Sequence, residues 1–177
     1  MSHAEDPTAL VSIEGILAYR QGVPEEAKQF DFLLGDWNAQ TTRYRPDGSE
    51  IGRYAGRWRA RHLHDGRMIL DEFTARLDDG SEISYMATLR TFCPETRRWQ
   101  MTFLIAHQPQ LITSFSGIFE DGEMKLDGSG RTLTGDPVLA RVRFFDITPT
   151  GFQWENRVSL DGGVTWYRDS AISARRA

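Results

Sequence analysis

The sequence contains a single cysteine, Cys93, and four histidines among its 177 residues. One cysteine cannot form an intrachain disulfide, which argues against the disulfide-stapled class of small secreted domains. His62 and His64 lie two residues apart, but no third histidine is near them in sequence, so we predict no metal site and no cofactor. A glycine-rich phosphate loop and a nucleophile elbow are also lacking.

Long apolar runs and an excess of basic charge are missing as well. No run approaches the roughly 20 residues that span a bilayer. The net charge of −4 and the pI of about 5.6 give no electrostatic reason to expect binding to nucleic acid or to an anionic membrane. The first residues, 1–6, lack the basic and apolar regions of a signal peptide, and we therefore expect a cytoplasmic protein.

Turn signals, by contrast, are frequent and regularly spaced. Between Trp37 and the end of the chain they recur at roughly the 8–12-residue spacing that is typical of all-β proteins. The nine signals are Pro46-Asp47-Gly48, His64-Asp65-Gly66, Asp78-Asp79-Gly80, Cys93-Pro94, Gln108-Pro109, Asp121-Gly122, Asp136-Pro137, Pro149-Thr150-Gly151 and Asp161-Gly162-Gly163. Because the connections are short and no helix separates the strands, we predict an all-β, antiparallel up-and-down barrel of about ten strands.

The N-terminal segment has a helical pattern. Leu10, Ile13, Ile16 and Leu17 recur at helical spacing after the N-cap candidate Thr8. We therefore divide the chain into an N-terminal helical segment, 1–29, and a barrel domain, 30–177. The apolar stripe must be buried, either on one end of the barrel or on another subunit, so a homodimer is left open.

The stretch from Phe30 to Trp37, in which Gly35 precedes a tryptophan at the start of the first strand, resembles the entry to calycin barrels. Later stretches, among them 88–92, 97–101, 141–144, 152–154 and 159–166, resemble an uncharacterised bacterial family described as lipocalin-like. The resemblance implies a calycin (lipocalin-like) barrel in which Trp37 plugs the closed end. It also implies that a basic residue of the last strand covers this indole, and the candidates are Arg168, which we favour, and Arg175.

The pattern of the second strand indicates which side chains face the interior. Arg53, Arg57, Arg59 and Arg61 share one face and belong in water, so the opposite face should point inward. A barrel of ten strands is wide enough to retain a cavity. We predict that this cavity binds a small hydrophobic or aromatic ligand through Tyr54, Trp58, His62, Phe73, Tyr85, Met101 and Phe115.

Two alternatives to simple binding remain open. On the third strand, the inward face would bury Asp71, which then needs a partner or a raised pKa. With His62 and a tyrosine such as Tyr54 or Tyr85, it would make the chain a cofactor-independent cyclase, isomerase or lyase that uses the same cavity. The other alternative is an interaction protein whose barrel is completely filled by side chains.

Overall fold

A computed structural model describes residue 17 and residues 22–108, 113–132 and 134–177. Of the apolar stripe in the N-terminal segment, it describes only Leu17, which is helical and about half exposed. The rest of the predicted helix, 8–21, lies outside the described residues. The strands are β1 (Gly35–Tyr44), β2 (Glu50–Leu63), β3 (Met68–Arg76), β4 (Glu82–Cys93), β5 (Arg98–Ile105), β6 (Thr113–Glu120), β7 (Glu123–Arg131), β8 (Pro137–Thr148), β9 (Gly151–Ser159) and β10 (Tyr167–Arg176).

The ten strands form one closed barrel. Each strand pairs antiparallel with the next in sequence, and β10 returns to β1 along a seam that runs from Trp37 opposite Arg176 to Arg43 opposite Ser170. The predicted fold is confirmed, and the described connections between strands coincide with the predicted turns, whereas Pro109 of the predicted turn Gln108-Pro109 lies outside the described residues. Gly48, Gly66 and Gly80 have positive φ, which explains why glycine ends these three turns.

Burial alternates along the strands as a half-buried barrel wall requires. On β2, Trp58 and Ala60 are buried, whereas Arg53, Arg59 and Arg61 are exposed. On β3, the buried residues are Ile69, Asp71 and Phe73. The predicted inward faces of these two strands are therefore confirmed.

An aromatic plug closes one end of the barrel. Two short 3₁₀ helices, Glu25–Lys28 and Asp31–Leu33, cross this end and bring the fully buried Phe30 against Trp99 and Phe144. The Trp37 indole is 1% exposed and donates a hydrogen bond of 2.7 Å to the Leu33 carbonyl.

The plug ends at a tight corner. Gly35 begins β1 at φ +98°, and a Cβ there would lie 2.7 Å from the Arg176 guanidinium. The positive φ favours glycine here, and a larger residue would also have to displace the Arg176 guanidinium.

The arginine that covers Trp37 is Arg176, and the expectation for Arg168 is wrong. The Arg176 guanidinium lies 3.7 Å from the centre of the indole ring and donates a hydrogen bond to the Leu34 carbonyl. Arg168 lies eight residues earlier on β10, about 25 Å along the strand, and stacks on Tyr44 instead. The other candidate, Arg175, is opposite Asn38 in the register.

Candidate functional site

Above the plug, the barrel contains a cavity of about 300 Å³ that extends towards the other end. All ten strands except β7 contribute to its wall, because their inward residues converge on the barrel axis. Much of the wall is aromatic or aliphatic, and it includes Trp58, Phe73, Met101, Phe103, Phe115, Val142, Trp154 and Ile172.

Six of the seven predicted ligand residues line this cavity. They are Tyr54, Trp58, Phe73, Tyr85, Met101 and Phe115. Trp58 and Phe73 are opposite each other in the β2–β3 register, and their rings meet edge to face with centroids 5.8 Å apart. Contact between these residues and a ligand remains a prediction.

His62 does not line the cavity, and its predicted pairing with Asp71 is wrong. Its Nε2 atom lies 2.9 Å from Oδ1 of Asp31, and both side chains are more than a third exposed. His62 shares the inward face of β2 with Trp58, but it lies four residues further along, about 13 Å towards the closed end. The alternation of side chains along a strand predicts whether a residue points inward, but it does not predict how far along the barrel axis that residue lies.

Asp71 is almost completely buried and has two partners. It accepts a hydrogen bond of 2.7 Å from the Trp58 indole and forms an ion pair with Arg90. The sequence leaves two possibilities for a buried Asp71, a partner or a raised pKa, and in the structure Asp71 has a partner. Burial lowers the pKa of the Arg90 guanidinium to about 9, so Arg90 remains protonated at neutral pH.

Arg90 is the residue that sequence reasoning missed. Its side chain is 2% exposed, lines the inner part of the cavity and lies 4.9 Å from the centre of the Phe30 ring. The face of β4 that carries Arg90 also holds Glu82, Ser84 and Thr88, whereas the opposite face is mostly apolar, so periodicity alone would turn Arg90 outward. The usable signal was Asp71, because a buried carboxylate on β3 calls for a cation on a neighbouring strand.

The end of the cavity away from the plug carries polar side chains. Arg43 of β1 donates to Asp169 at 3.0 Å, and the hydroxyl groups of Tyr54 and Tyr85 lie 3.1 Å apart. Burial and this hydrogen bond raise the pKa of the Tyr85 phenol above its usual value of 10. At neutral pH Tyr85 is therefore a hydrogen-bond donor and not a base.

Three side chains of the cavity wall have a buried polar atom without a hydrogen-bond partner. They are Thr41, at Oγ1, Asn156, at Oδ1, and Arg90, at Nε, although Nη1 of Arg90 forms the ion pair with Asp71. A buried polar atom without a partner costs about 1–3 kcal/mol. Such atoms are uncommon in native proteins and call for a specific explanation.

Comparisons with known proteins support the fold. No model of a known protein family matches the chain, and a search of curated proteins finds no significant match. Among solved structures, an S-type phycobiliprotein lyase from Guillardia theta is similar at a TM-score of 0.56 and 11% identity, over 88% of this chain and 98% of the lyase. A redesigned β-barrel bound to DFHBI matches at a TM-score of 0.42 and 16% identity, over 86% of this chain and all of the design. The likeness to the lyase is one of fold and agrees with the barrel architecture of this chain.

Within residues 22–108, 113–132 and 134–177, no group of three or more His, Cys, Asp or Glu side chains is arranged to hold a metal ion. Among the same residues, no helix is long and apolar enough to cross a bilayer.

Proposed function

We propose that the protein binds a small hydrophobic or aromatic molecule inside its barrel. The observation that carries this proposal is the cavity of about 300 Å³, which is enclosed by aromatic and aliphatic side chains and closed at one end. Concave, mostly apolar cavities with a few placed polar groups are typical of small-molecule sites. A completely filled scaffold, the third function considered from the sequence, does not fit a barrel that retains this space.

The likeness to the phycobiliprotein lyase is a likeness of fold and does not transfer its substrate to this chain. Membership of the bacterial lipocalin-like family, a cytoplasmic location and a homodimer also remain proposals based on the sequence. The division of the chain into an N-terminal segment, 1–29, and a barrel domain, 30–177, is likewise a proposal based on the sequence. The cavity alone supports the proposed activity.

The alternative, a cofactor-independent enzyme in the same cavity, has less support. Its acid–base pair is absent, because His62 bonds Asp31 and Asp71 is held by Arg90 and Trp58. The remaining candidates, Tyr54 and Tyr85, bond each other. Binding without turnover is therefore the function that the geometry favours.

Two measurements test the proposal directly. Native mass spectrometry of protein purified from its own host should detect a bound small molecule. In addition, the neutral fluorophore N-phenyl-1-naphthylamine should bind the ligand-free protein with an increase in emission.

A cavity-filling variant and a matched control complete the test. Ala140 lines the cavity, and we expect Ala140→Phe to occupy the space and abolish fluorophore binding. Ala55 is exposed on the outer face of β2, so Ala55→Phe should leave binding unchanged. Equal binding by the two variants would contradict a site inside the barrel.

A further inference from the structure

The charges that line the cavity are already balanced. Among the described residues, the ionised side chains in its wall are Arg43, Arg90 and Asp169. Arg43 pairs with Asp169, and Arg90 pairs with the adjacent Asp71. A ligand carboxylate placed between these pairs would add an uncompensated charge in a largely apolar space, at a cost of several kcal/mol.

Apart from Nε of Arg90, whose charge Asp71 balances, the unsatisfied groups in the wall are neutral and lie on one side. Thr41 is on β1 and Asn156 is on β9, the two strands that flank β10. The hydroxyl of Thr41 can donate and accept, whereas Oδ1 of Asn156 accepts only. The Tyr54–Tyr85 pair adds one more donor, since a single hydrogen bond between two hydroxyl groups uses only one of their two protons.

The opposite side of the cavity offers almost no polar group. Its wall on β5 and β6 consists mainly of Met101, Phe103, Ile105 and Phe115. The cavity is therefore polar along one side and apolar along the other, and its net charge is zero when the adjacent Asp71 is counted.

From this arrangement we infer that the ligand is uncharged and carries a neutral hydrogen-bonding group, such as a hydroxyl, on an otherwise apolar body. The apolar body packs against β5 and β6, and the polar group lies against the β9–β10–β1 wall with Thr41 and Asn156. This inference rests on the proposed function and adds the chemical class of the ligand. An apolar cavity of about 150 Å³ holds one benzene, so a cavity of about 300 Å³ is suited to two fused rings.

Three probes with one hydrocarbon body test the inference on the unmodified protein: naphthalene, 2-naphthol and 2-naphthoate. Each is titrated at neutral pH against bound N-phenyl-1-naphthylamine, and its displacement of the fluorophore gives its affinity. We expect 2-naphthol to bind more tightly than naphthalene and at least about tenfold more tightly than 2-naphthoate. If naphthoate equals or exceeds naphthol, the ligand is anionic and the inference is overturned.

A variant then locates the polar group. In Thr41→Val/Asn156→Leu, the advantage of 2-naphthol over naphthalene should fall by about fivefold or more, because one to two hydrogen bonds are lost. The affinity for naphthalene should be unchanged or higher. Thr42→Val, on the same strand but outside the cavity lining, is the control and should retain the advantage.

The outcomes separate this inference from the proposed function. If neither naphthalene nor the fluorophore binds, the binding function itself fails. If naphthalene binds but the double variant keeps the full naphthol advantage, the function stands and the assignment of the polar wall is wrong. Because the comparison among the three probes needs no variant, a folding defect in the double variant leaves the first test intact.

Discussion

Asp71 and Arg90 form an ion pair whose two side chains are almost fully buried, at 1% and 2% exposed. Other ion pairs in the described part of the chain are at least partly exposed and contribute little to stability. A buried pair behaves differently, because removing one partner leaves the other charge buried without compensation. At this position, the pair also holds the Trp58 indole in the cavity wall.

Asp71→Asn should therefore destabilise the protein by about 3–5 kcal/mol. The amide oxygen of asparagine can still accept from Trp58, so the loss reports mainly the uncompensated charge of Arg90. Urea unfolding measures the change in the free energy of unfolding. The double variant Asp71→Asn/Arg90→Met should recover much of the loss, and a double variant that is less stable than the single one would contradict this account.

Tyr85 predicts a dependence of stability on alkaline pH. Its pKa in the folded protein lies above the ordinary value of 10, so the unfolded chain releases this proton at lower pH than the folded protein does. Stability from this group is present below pH 10 and falls as the pH rises above it. The Tyr85→Phe variant should lose less stability than the original protein between about pH 8 and about pH 11, as measured by urea midpoints, and equal losses would contradict the prediction.

At the scale of elements, the closed end combines three separate parts of the chain. The segment of the two 3₁₀ helices supplies Phe30, which lies between them, and Leu33; β1 supplies Trp37, and β10 supplies Arg176. Phe152 of β9 packs edge to face on Trp37, with centroids 4.9 Å apart. The plug therefore links the first and last strands of the barrel through side chains as well as through the backbone.

Trp37→Ala should cost about 3–5 kcal/mol, the usual range for removing a buried aromatic ring. A matched pair of arginine variants tests the corrected assignment of its cover. Arg176→Ala should destabilise the plug measurably, whereas Arg168→Ala should act only locally, near Tyr44. Thermal denaturation of the three variants is the measurement, and a loss below about 1 kcal/mol for Trp37→Ala would refute the plug role.

The sequence predicts elements better than it predicts their mutual positions. The turns are local, since Asp-Gly pairs and prolines specify where a strand must end, and they led to the correct number of strands. The inward face of β2 was also predictable, because the arginines on the opposite face of the strand would be costly to bury. Strand register is not local, and for this reason the sequence favours Arg168 over Arg175 and does not point to Arg176, and it puts His62 in the cavity. The inward position of Arg90 was not predicted either, because it depends on its ion pair with Asp71, which lies on another strand.

At the scale of the whole molecule, closure depends on β10. Deleting residues 167–177 would remove the seam and leave β1 and β9 each with an unpaired edge. Unpaired edges of this length promote pairing between chains. We expect the truncated protein to lose cooperative unfolding and fluorophore binding and to associate, as followed by circular dichroism and size-exclusion chromatography; a monomeric truncated protein that still binds the fluorophore would contradict this expectation.

The seam between β1 and β10 also affects the kinetics of folding. Nine of the ten strand pairings in the described barrel join neighbours in sequence, whereas β1 with β10 joins opposite ends of it. The nine sequential pairings close short loops, whereas the seam carries the entropy of closing the longest loop. The cavity is complete only once the seam has formed. A ligand present during refolding should therefore slow the reopening of the barrel without accelerating the formation of its hairpins.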